Sequence, residues 1–106
     1  MTLLKETIEK LKEKNKLVSD VLWCGKIESS EYEFEDQTIG YFTWKEFEIL
    51  ADKNYDSGYG STEVNKYLII VGEDWWLERH EYDGSEWWEY KTMPKKPKKN
   101  VIKIFN

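Results

Sequence analysis

The run Trp75–Tyr90, WWLERHEYDGSEWWEY, constrains the fold more than any other part of the chain. Asp83-Gly84 lies between two runs of aromatic and charged residues. Asp-Gly in that setting predicts a tight hairpin, because both central positions of the turn favour residues that tolerate positive φ. Strands are expected at Trp75–Tyr82 and Glu86–Lys91. Side chains alternate along a strand, so Trp75, Leu77, Arg79 and Glu81 share one face and Trp76, Glu78, His80 and Tyr82 the other. Two registers are open. A two-residue turn pairs Arg79 with Trp88 and Leu77 with Tyr90. A three-residue Tyr82-Asp83-Gly84 loop with a glycine bulge pairs Arg79 with Trp87 and Trp76 with Tyr90. Either register sets the chain's sole arginine over an indole, a contact worth ~0.5–2 kcal/mol.

Both faces of this hairpin carry tryptophan. One face must cover the core, which leaves the other aromatic and at least partly exposed. Such rings are ordinary cross-strand packing, but tryptophan and arginine also dominate binding hot spots. Trp75, Trp76, Arg79, His80, Trp87 and Trp88 are therefore candidate partner-binding residues.

Charge is unevenly spread. The net charge is −5, yet all 21 acids lie at or before Glu89, and Lys95, Lys96, Lys98, Lys99 and Lys103 lie beyond the last of them. Residues 1–92 carry 11 − 21 = −10 and the remainder +5. Such a body repels nucleic acid and attracts basic partners. The 106 residues suffice for one domain with a modest core. The lone Cys24 excludes an internal disulfide and a multi-cysteine zinc site. No apolar run approaches the ~20 residues of a membrane helix, and MTLLKETIEKLKEK is charged throughout, unlike a secretory signal. A cytoplasmic location is the expectation.

Thr2–Asn15 reads as an amphipathic helix, with Leu4, Ile8 and Leu11 on one stripe, Thr2 as cap and Glu6 paired to Lys10. Val18–Glu28 reads as a strand in which Gly25 marks a bulge or a close approach. Glu31–Asp36, EYEFED, alternates strictly. Its outward carboxylates Glu31, Glu33 and Glu35, with Asp36, make a candidate partner-binding row spaced as charges on a nucleic-acid backbone are, although such a row also blunts a sheet edge. Thr38–Phe42 is a possible short strand. Thr43 and Glu46 have capping-box spacing and predict a helix from Trp44 to about Lys53, with Phe47, Leu50 and Ala51 buried. Asn54–Ser61, NYDSGYGS, lacks the pattern and the lysine of a phosphate loop. It contributes Tyr55, Asp56 and Tyr59 as second-rank candidates, since binding residues often sit on loops. One helical turn is expected at Thr62–Asn65. Tyr67–Val71 is the most apolar run and should be the central strand. Pro94 and Pro97 end regular structure, with a possible edge strand at 101–105.

Nothing here dictates a reaction. Cys24 is not linked to His80 in sequence, Glu78 and His80 alone make a weak metal signal, and carboxylate pairs among Glu78, Glu81 and Glu89 arise by chance in so acidic a chain. No catalytic residue, metal or cofactor is assigned.

The strings Tyr55-Asp56-Ser57-Gly58-Tyr59-Gly60, Leu68–Gly72, Trp76–Arg79 and Glu81–Tyr90, with Pro94, resemble small uncharacterised proteins encoded by prophages and mobile elements of low-GC Gram-positive bacteria. The resemblance covers the second half of the chain and carries no activity with it. It implies a phage accessory protein in a bacterial host cell, a setting where small acidic inhibitors of defence enzymes are common.

The expectation is an α+β domain over 1–93, with an antiparallel sheet of about five strands and two helices, and a lysine- and proline-rich tail over 94–106. The expected function is non-enzymatic binding to the basic, nucleic-acid-binding surface of a partner protein, such as a host defence nuclease of the CRISPR type. The rival is an aromatic-lined module for a sugar or nucleotide. A third reading is a structural phage component that self-assembles.

Overall fold

A computed structural model describes residues 1–27, 39–58 and 60–106. In chain order the elements are α1 (Leu3–Glu13), a 3₁₀ turn (Val18–Asp20), β1 (Trp23–Lys26), β2 (Gly40–Phe42), α2 (Trp44–Leu50), β3 (Leu68–Val71), β4 (Trp75–Tyr82) and β5 (Ser85–Thr92). The strands form one antiparallel sheet in the order β2-β1-β3-β4-β5. The architecture is α+β, and the Leu68–Val71 run supplies its middle strand.

The hairpin takes the two-residue turn. Arg79 faces Trp88 and Leu77 faces Tyr90. Asp83 (φ 50°) and Gly84 (φ 85°) both adopt the positive φ that such a turn requires. The Arg79 guanidinium carbon lies 4.8 Å from the centre of the Trp88 ring.

Both helices cover the same side of the sheet. Leu11, Cys24, Phe47, Ala51, Leu68, Ile70, Trp75, Leu77 and Trp88 form one buried cluster, with Leu3, Leu4, Phe42, Trp44, Val64 and Tyr90 packed against it. The strand members alternate onto one face by register: Phe42 and Ile70 each face Cys24, and Leu77 faces both Ile70 and Tyr90. Thr2 caps α1 by accepting from the Lys5 N–H, and the Thr43–Glu46 capping box starts α2.

Several local expectations are corrected. Within the described part of the strand expected at 18–28, only Trp23–Lys26 is strand, because the Asp20 carboxylate accepts from the Leu17 N–H and folds Val18–Asp20 into a turn; Glu28 lies outside the described residues. Leu50 is 69 % exposed, since the short α2 buries only Phe47 and the Ala51 that follows it. Glu6 turns to Arg79 and Tyr55 instead of Lys10, which pairs with Glu13. No helical turn forms at 62–65, where Glu86 takes the Glu63 and Val64 N–H groups. The 101–105 segment is no strand; the chain leaves the sheet after Thr92, and Pro94 and Pro97 cannot donate to a ladder.

Gly25 is a close approach, not a bulge. A Cβ there would meet the Gly40 carbonyl oxygen at 2.4 Å and the Trp23 ring at 3.0 Å. Gly25→Ala should therefore cost ~1–3 kcal/mol by forcing β1 and β2 apart, read as a lowered urea midpoint.

Candidate functional site

The sheet face opposite the helices is organised in rows. Strand registers place Trp23, Val71, Trp76 and Lys91 in one row, and Tyr41, Gly25, Ile69, Glu78 and Glu89 in the next; His80 and Trp87 follow beyond them. Trp23, Trp76 and Trp87 are half-buried on this face, and Tyr41 is 82 % exposed. Among the described residues, no helix covers it.

At its centre two acidic residues are cross-strand partners, Glu78 and Glu89. Like charges placed directly opposite across a pair of strands are ordinarily unfavourable. Here each is held by the indole two residues before it. The Trp76 Nε1–H donates to Glu78 Oε1 at 2.7 Å, and the Trp87 Nε1–H donates to Glu89 Oε1 at 2.8 Å. His80 Nε2 lies 2.7 Å from the other Glu78 oxygen. Partial burial of Glu78 works against its charge, but the hydrogen bonds from Trp76 and His80 hold its carboxyl below the ordinary carboxylate range. The Trp87 N–H does the same for Glu89, against slight desolvation. Both are therefore ionised at neutral pH. The result is an anionic centre with an indole on either side, chemistry suited to a guanidinium or ammonium group: charge-assisted hydrogen bonds to the carboxylates and cation–π contact with the rings.

The covered face holds the other candidates. Trp75, Arg79 and Trp88 are 3, 7 and 2 % exposed, so they are corrected from partner-binding residues to core. The physical reason is the register, which points all three at α1 and its neighbours. The Trp88 Nε1–H donates to the buried Thr7 hydroxyl at 2.9 Å. Arg79 reaches Glu86 at 3.0 Å, the Tyr55 hydroxyl at 3.1 Å and Glu6 at 3.4 Å. Tyr55 also donates to Glu6, and burial followed by that hydrogen bond pushes its phenol up to about 12. Glu86 accepts in addition from the Glu63 and Val64 N–H groups. This network straps the loop after α2 to the hairpin and to α1.

Of the second-rank candidates, Tyr55 and Asp56 line a groove of about 820 Å³ with Glu6, Glu9, Glu63 and Trp87. Trp87 thus joins the groove to the open face. Tyr59 and the row Glu31, Glu33, Glu35 and Asp36 lie outside the described residues.

Cys24 and His80 are on opposite sides of the sheet, so they form no nucleophile–base pair. Burial pushes the Cys24 thiol up to about 12. It should stay silent to a thiol reagent at pH 8 until the protein unfolds, which a stopped-flow labelling trace with and without denaturant would show. A raised folded pKa also makes Cys24 a source of alkaline instability: its contribution holds below about pH 9 and is lost as pH rises toward 12. No group of three or more His, Cys, Asp or Glu suited to a metal occurs among the described residues, and none of their helices is long and apolar enough to cross a membrane.

The Glu78–Glu89 pair, Trp23 and Tyr41 were not legible as a site in the sequence. The usable signal was the Trp-x-Glu spacing in both hairpin strands, Trp76-Leu77-Glu78 and Trp87-Trp88-Glu89. No protein-family model, curated protein or solved structure matches the chain.

Proposed function

We propose that the protein is a non-enzymatic binder of a basic protein surface, of the kind a partner uses to hold nucleic acid, and that it binds through the open sheet face. One observation carries the reading: two ionised glutamates are cross-strand partners, each held by its own indole, on a face with no helix over it among the described residues. An arginine or lysine of the partner pairs with Glu78 and Glu89, which also feel Lys91 on the same face, and stacks on Trp76 or Trp87. The −10 charge of residues 1–92 speeds encounter with such a surface. The acidic row Glu31, Glu33, Glu35 and Asp36 adds to the same field. The prophage-like strings in the sequence would make a host defence nuclease, including the CRISPR type, a partner of this chemistry, with inhibition by occupying its nucleic-acid site.

The test is capture from a bacterial host lysate, followed by titration of the purified complex. The complex should weaken steeply with salt and hold from pH 7 down to about 5, then fail as Glu78 and Glu89 protonate below the ordinary carboxylate pKa of ~4.3. Charge reversal at Glu31, Glu33 and Glu35 that left both binding and inhibition intact would remove the acidic row from the account.

A small-ligand module is favoured by one feature, the apolar cavity of about 590 Å³ against Trp23, Ile27, Ile39 and Tyr41. Titration with sugars and nucleotides separates the readings: the proposal predicts unchanged tryptophan emission, and a ligand module a saturable change.

A further inference from the structure

The segment beyond β5 has the two properties the open face selects for. Its five lysines give it +5 with no acid, against −10 for residues 1–92. It also carries Val101-Ile102-Lys103-Ile104-Phe105, whose four apolar side chains are 78, 92, 83 and 81 % exposed. A β-prone run at that exposure is a strand without a sheet, and soluble proteins rarely leave such a run uncovered. Its own body does not cover it, since every residue from Met93 to Asn106 is exposed and none of them lies in a strand.

We infer that its partner is a second copy of this chain, with the tail of one copy docked on the open face of the other; the inference rests on the reading of that face given above. Charge complementarity is the first argument. Apolar fit is the second, because the cavity against Trp23, Ile27, Ile39 and Tyr41 opens at the β1–β2 end of the sheet that carries Glu78 and Glu89. Reach is the third. Lys95 to Phe105, extended, spans ~33–36 Å, whereas strands spaced ~4.8 Å put cavity and carboxylates within ~20 Å. The lysines lie against Glu78 and Glu89 while Ile102 and Ile104, on one side of the extended segment, enter the cavity. Reciprocal exchange uses the same two surfaces twice and closes at two copies. A basic partner then has to displace the tail, so self-association and partner binding compete.

Light scattering on the full chain tests this. The expected result is twice the chain mass at high concentration, falling to the monomer as salt rises. Ile102→Asp/Ile104→Asp lies in exposed tail and leaves the fold alone; it should be monomeric. Glu78→Lys/Glu89→Lys should also be monomeric. Mixing the two should restore a dimer held by one tail, because one copy keeps an intact face and the other an intact tail. A full chain that is monomeric at every concentration, tail variants that still dimerise, or a mixture that stays monomeric would each overturn the inference. If self-association fails while an arginine-rich peptide still binds the open face, the reading of the face stands and the role of the tail falls.

Discussion

Arg79→Met should cost ~3–5 kcal/mol of folding stability, the penalty for leaving a buried charge without its partner. The side chains of Arg79 and Glu86 are each only 2 % exposed. Removing the guanidinium strands the Glu86 carboxylate beside the sheet, withdraws the donor at Tyr55, and takes the cation from the Trp88 ring. The loop after α2 should loosen with it, since Glu86 holds the Glu63 and Val64 N–H groups and Tyr55 joins Glu6. Lysine will not substitute, because one ammonium cannot reach the acceptors that the planar fork addresses together. Denaturant unfolding should show a lowered midpoint with little change in slope. The double variant Arg79→Met/Glu86→Gln should lose less than the two single losses added, because glutamine removes the stranded charge yet still accepts from the backbone. Additive losses would mean that the two groups do not act as a pair.

Trp87→Ala should weaken binding to an arginine-rich peptide by ~30-fold or more, equivalent to ~2 kcal/mol, the scale of an interface hot spot. The ring supplies cation–π area, and its N–H holds Glu89 in place and charged. Trp87→Phe separates the two roles. It keeps a ring but frees the carboxylate, so it should fall between wild type and alanine. Trp87 is half-buried on the uncovered face, so its loss should disturb folding far less than Trp88→Ala, which empties a fully buried site. Calorimetric titration alongside thermal unfolding reads both quantities. A Trp87→Ala protein that bound as wild type would move the site off this face.

The parts of the fold that rest on local chemistry were legible in the chain. Asp83-Gly84 announced the hairpin, Thr43 and Glu46 the start of α2, and the Tyr67–Val71 run the middle of the sheet, where β3 spans Leu68–Val71. What local chemistry leaves open was not. The hairpin register had two solutions until the turn dihedrals chose one. That choice decided which tryptophans are core, because a one-residue slip moves every side chain to the opposite face. Glu6 looked like a surface helix partner of Lys10, yet it serves a residue 73 positions away. Glu78 and Glu89 looked like two of many acids, and only the pairing of β4 with β5 puts them side by side. The long-range pairings that build the site are the ones a linear pattern does not encode.

Recognition of basic groups is assigned to the Glu78–Glu89 pair between its indoles. It is tested most directly by calorimetric titration of an arginine-rich peptide into three proteins: wild type, Glu78→Gln/Glu89→Gln, and the charge-matched control Glu48→Gln/Glu73→Gln. Glutamine still accepts from the indoles, so stability should move by no more than ~0.5 kcal/mol in either variant. The control removes the same net charge from exposed positions elsewhere. The Glu78/Glu89 variant should lose at least ~10-fold in affinity while the control stays within ~2-fold of wild type. Equal loss in the two variants, or none in either, would contradict it.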